Sequence, residues 1–112
     1  MQINLFVIPI YFGTVKVVQS NDKDKVNKRF KIDWDGLNTT VYTQDNHNFL
    51  MITQPIEIIT FETINTIAHE AVHIANWRIS RIGFKYDYEN DEPFAYLVGF
   101  ITEEIYKIVA RK

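Results

Sequence analysis

Ile64-Asn65-Thr66-Ile67-Ala68-His69-Glu70-Ala71-Val72-His73-Ile74-Ala75-Asn76-Trp77 is the stretch on which the reading of this chain turns. Its period is helical. Ile64, Ile67, Ala68, Ala71 and Ala75, continued by Ile79 and Ile82, recur at three- and four-residue steps and form one apolar stripe. His69, His73 and Ser80 fall on a different flank from that stripe. Residues four apart on a helix share a face, so both imidazoles can address one ion. Glu70 lies beside that face, where a carboxylate can contact a metal-bound water without becoming a ligand itself. Gly83 suits the left-handed stop of such a helix, so the spacing predicts a helix over 60–83.

A second helical period follows. Phe94, Leu97, Val98, Ile101, Ile105 and Ile108 make an apolar stripe, with Asp91 placed to cap and Pro93 in the first turn, which predicts a helix over 91–110. It opens on Glu92, a carboxylate that completes the spacing H-E-x-x-H-x18-E. The link Phe84 to Asp91 spans up to about 27 Å when extended, while His73 to Ile82 carries the chain about 14 Å along the first helix. Glu92 is therefore within reach of His73. Small residues, Ala68, Ala71 and Ala75 on one helix and Ala95 and Gly99 on the other, are expected to let the two axes approach closely.

Upstream, the pattern turns to strands. Ile3 to Phe12 is apolar, β-branched and aromatic, Gly13-Thr14 supplies a turn, and Val15 to Gln19 alternates, so a hairpin is expected with Pro9 at a bulge or edge. Ser20 to Arg29 reads as a solvated loop, because aspartates interleave its lysines and no stacking aromatics do. Phe30 to Trp34 and Thr39 to Thr43, around Asp35-Gly36, suggest a second hairpin, and Asn48 to Gln54 one more strand ending at Pro55. The expectation is one domain, 1–112, with strands and hairpins in 1–54 and the two helices behind them. Its fold class is α+β, a small, mostly antiparallel sheet packed with two C-terminal helices.

Composition bounds the partners. The 112 residues are 46% hydrophobic and 14% aromatic, a globular balance, and the net charge of −2 offers no field for nucleic acid or membrane surfaces. With no cysteine, any zinc must be held by histidine and carboxylate. The apolar N-terminal run lacks a basic start and a small-residue cleavage site and is far below a membrane span, so a cytoplasmic protein is expected.

The spacing H-E-x-x-H-x18-E, with Asp91-Glu92-Pro93-Phe94-Ala95 opening the second helix, resembles the zinc signature of the gluzincin metallopeptidases, particularly their aminopeptidase branch. The likeness covers the last third to half of the chain and lies in the site. The chain is far shorter than the large aminopeptidases and lacks their Gly-rich segment for the substrate amino terminus. A minimal zincin of the kind found in small bacterial and phage-borne proteins is similar in size. The resemblance implies zinc held by His69, His73 and Glu92, Glu70 as general base, and a peptide or protein substrate. Pro93 stands where the family has glycine.

Other groups compete for roles. His47, in a polar turn, is a rival third ligand. Tyr86 and Tyr88 are candidate oxyanion donors. Asp87, Glu89 and Asp91 alternate like a calcium loop but lack its sixth-position glycine and twelfth-position glutamate. Asn48 to Gln54 is the expected edge strand for holding an extended peptide. Two functions fit the pattern: a zinc metallopeptidase, or a non-enzymatic binding protein that keeps a structural or vestigial metal site. In the plainest alternative the histidines are a solvated stripe and Glu70 pairs with Arg78 or a lysine.

Overall fold

Helices lie on one face of the sheet and a third, short helix on the other. The computed structural model describes residues 1–85 and 87–111. Its elements are β1 (Gln2–Val7), β2 (Thr14–Gln19), α1 (Lys23–Phe30), β3 (Thr40–Thr43), β4 (Asn48–Thr53), α2 (Phe61–Arg81) and α3 (Glu92–Val109). The four strands run in the order β1-β2-β4-β3. β1 and β2 are antiparallel, β2 and β4 parallel, and β3 and β4 antiparallel, so the α+β class with a mostly antiparallel sheet holds.

Strand alternation sorts the core into two layers. Val15, Val17, Phe49, Met51 and Val41 face α2 and α3, meeting Ile67, Ala71, Ile74, Leu97, Ile101 and Ile105. Val18, Leu50 and Ile52 face the other way, against Val26 of α1 and the fully buried Trp34. The indole Nε1 of Trp34 donates to the Asn38 carbonyl at 2.7 Å. Asn27 clamps the same residue by accepting from Trp34 N at 2.8 Å and donating to Trp34 O at 3.0 Å.

Two expectations are corrected on this face of the sheet. Ser20 to Arg29 is mostly helix, because the Asp22 carboxylate accepts from Lys25 N at 3.1 Å and Val26 buries one apolar contact. Phe30 to Trp34 is not a strand; it leaves α1 through Lys31 at φ 56° and is held by Asn27, so β3 pairs with β4 instead. Pro9 lies beyond the end of β1, in a turn where Ile10 and Phe12 both have positive φ and Ile8 N donates to Gly13 O at 2.9 Å.

Both long helices appear where the periodicity puts them. Thr60 and Thr63 form a reciprocal capping box at the start of α2. At its end Gly83 (φ 87°) donates to Ser80 O and Phe84 N to Ile79 O, the paired bonds of a glycine-terminated helix. Ile74 joins the buried stripe, whereas Ile64 stays 46% exposed. Asp91 occupies the cap position of α3 without a side-chain cap bond, and Pro93 sits in the first turn as expected. Among the described residues, no helix is long and apolar enough to cross a membrane.

Candidate metal-binding face

His69 and His73 stand on successive turns of α2, exposed, with their Nε2 atoms 3.2 Å apart. Two nitrogens each about 2.0–2.1 Å from one tetrahedral zinc ion lie about 3.3–3.4 Å apart, so the pair already has the spacing of two ligands on one ion. His73 also stacks on Trp77, ring centroids 5.8 Å apart, and Trp77 in turn stacks on Phe49 at 6.5 Å. The aromatic pile fixes the direction of the second imidazole by anchoring it to the sheet.

Glu70 lies one residue round the helix from His69, on the buried flank, and is 7% exposed. Burial pushes its carboxyl above the usual carboxylate range, partly opposed by the neighbouring imidazoles of His69 and His73. Glu70 and the histidines border a trough whose far wall is the segment 37–41. One part, about 400 Å³, is lined by Leu37, Asn38, Thr39, Thr66, His69 and Glu70 among others. The next, about 210 Å³, is lined by Thr39, Thr40, Val41, Glu70, His73 and Trp77. The wall ends in β3, an edge strand of the sheet. Asn48 to Gln54 cannot serve as that edge: β4 is paired on both sides, with β2 and with β3.

Glu92 is not brought to this face. Among the described residues no three His, Asp or Glu side chains gather closely enough to hold a metal ion. Two geometric reasons account for it. The buried stripe of α3 is Leu97, Ile101, Ile105 and Ile108, and at about 100° per residue Glu92 falls about 180° away from it. Along the axis, Pro93 and Phe94 share a cavity with Ile79, six residues past His73, or about 9 Å. The small residues of α3 follow the same rule. Ala95 and Gly99 are exposed and do not line the crossing; a Cβ on Gly99 would meet nothing within 4 Å.

The remaining candidates are dispersed. His47 lies on the β3–β4 loop with Nδ1 3.0 Å from Arg78 Nη1. Arg78 is therefore turned to that loop and does not pair with Glu70; its Nη1 also donates to Asn46 O at 2.7 Å. Tyr88, 89% exposed, lies on the link before α3 and lines neither part of the trough. Tyr86 lies outside the described residues. Asp87 turns its carboxylate to Glu89 N at 2.9 Å, as a loop residue does. Thr39, Thr40 and Asn38, which sequence reasoning passed over, form the wall opposite the histidines; only the pairing of β3 reveals them.

No family model, curated protein or solved structure matches this chain.

Proposed function

We propose that the chain is a zinc-dependent hydrolase of peptide bonds, cytoplasmic, with His69 and His73 holding the ion. The observation that carries the reading is the 3.2 Å approach of the two Nε2 atoms beside the buried Glu70. Bound zinc would act as a Lewis acid and lower the pKa of water at its open positions. Glu70, raised by burial and facing the same trough, takes a proton from the attacking water and delivers it to the leaving amine. The free edge of β3 supports an extended peptide by strand addition, presenting a carbonyl along the trough. Glu92, the third ligand that the resemblance implies, stands on the far side of α3, so the proposal rests on the histidine pair and Glu70.

A second reading has one observation in its favour. A catalytic zinc site uses three protein ligands, and no third carboxylate or imidazole is gathered among the described residues. On that reading the pair binds metal without turnover and the protein acts by docking. Mass-spectrometric analysis of a peptide library incubated with zinc-loaded protein separates the two. Cleavage abolished by a chelator and restored by zinc supports the hydrolase; stoichiometric zinc with an intact library supports the binding protein.

A further inference from the structure

β1 is an open edge, and its residues are arranged to take another strand. Ile8 N donates to Gly13 O, so the even residues of β1 turn their backbone groups to β2 and Ile3, Leu5 and Val7 turn theirs outward. Proteins blunt such edges with charge, proline or a covering element. Gln2–Val7 contains neither charge nor proline. The opposite edge differs, since β3 is only four residues long.

Apolar surface flanks this edge on both faces of the sheet. On the side away from α3, Leu5 and Val7 are 60% and 59% exposed. On the α3 side, Phe6 meets Phe100 edge-on at 6.2 Å, and Phe100 stacks on the half-exposed Tyr96 at 6.4 Å. On that same α3 side lies Asn4, whose Nδ2 is buried with no hydrogen-bond partner. An unsatisfied buried amide is costly, and its position on the free edge says what is missing.

We infer that β1 pairs antiparallel with β1 of a second copy of this chain, about a twofold axis through Asn4. Residues with outward backbone groups must then face one another, and Ile3 does face Leu5 of the partner subunit, twice over. Asn4 faces its own counterpart in the non-hydrogen-bonded position, where Cα atoms approach to about 4.5 Å. A rotation of each amide there gives Nδ2 an Oδ1 acceptor across the axis. The axis is perpendicular to the sheet, so both α3 helices lie on the same side and the Tyr96–Phe100 surfaces flank the seam. A foreign strand could satisfy the backbone, but only a second copy places an identical amide opposite Asn4. The inference is independent of the metal site, which lies at the other edge of the sheet.

Cysteine trapping tests it directly, because the natural chain contains no cysteine. The Asn4→Cys variant, checked for a native circular dichroism spectrum while reduced, should form an intermolecular disulfide rapidly under mild oxidation. Leu5→Cys should do so far more slowly, since its counterpart is offset along the strand. Sedimentation should give twice the chain mass for the unmodified protein at high micromolar concentration and the single mass for Leu5→Lys. A monomer at every concentration, or faster trapping at position 5 than at position 4, overturns the inference.

Discussion

Arg78 Nη1 donates to the carbonyl of Asn46 at 2.7 Å, joining the last turn of helix α2 to the loop between β3 and β4. Arg78 is 1% exposed, and burial holds its guanidinium below the usual arginine range, with Arg81 adding to the effect. Gly13 closes over the same side chain, where a Cβ would lie 3.2 Å from Arg78 Cδ and 3.1 Å from the His47 carbonyl.

Arg78 fills space as much as it bonds. Arg78→Ala should cost about 2–4 kcal/mol, through a cavity and a lost charge-assisted bond. Arg78→Met keeps most of the volume and frees the Asn46 carbonyl to meet water at the exposed loop. Its cost should be under about 1.5 kcal/mol. Urea unfolding of the two variants checks the order; equal losses would assign the stability to the hydrogen bond.

Gly13→Ala should destabilise the fold by about 1 kcal/mol or more. Its φ of 102° disfavours any side chain, and the two close contacts add to the strain. A thermal midpoint equal to the unmodified protein's would contradict the described clamp.

Two matching turns hold the ends of β3, and one predicts an acid response. Asp45 accepts from Asn48 Nδ2 at 2.7 Å and from His47 N at 2.7 Å and Asn48 N at 2.9 Å. Asp35 repeats the pattern with Leu37 and Asn38. These bonds, the Asn48 side chain's first, hold the Asp45 carboxyl below the usual range. A lowered folded pKa means stability that is present above the unfolded value, about 3.9, and lost as pH falls through the folded one. Asp45→Asn should therefore lower the thermal midpoint at neutral pH, and the gap should close in strong acid. A constant gap across that range would remove Asp45 as its source.

Glu92→Gln should leave zinc affinity unchanged, because helix phase sets Glu92 opposite the buried stripe of α3. Trp77, stacked on His73, supplies a fluorescence readout once Trp34 is replaced by phenylalanine. A loss of about tenfold or more, the scale on which metal-shell groups act, would show that α3 repacks when zinc binds.

Most of the helical half was legible in the sequence. Ile67, Ala71, Ala75 and Ile79 are buried where the period put them, and so are Leu97, Ile101, Ile105 and Ile108. The β1–β2 hairpin and β4 were legible from alternation and apolar runs. α1 was hidden because its eight residues bury a single side chain, Val26, beneath a run of charges. β3 was assigned the wrong neighbour, since Phe30 to Trp34 reads as a strand until Asn27 is seen to take both backbone groups of Trp34. The phase of Glu92 could have been read. Nine residues separate it from Ile101, about two and a half turns, which sets the two on opposite sides of α3. Chain reach alone, which put Glu92 near His73, does not contain that information.

Under the proposed function the histidine pair holds zinc and Glu70 moves the proton. Glu70→Gln, with zinc binding and peptide-library cleavage measured on the same preparation, tests it most directly. Zinc affinity should be unchanged and the cleavage rate lower by at least about a hundredfold. Undiminished cleavage in that variant would contradict it.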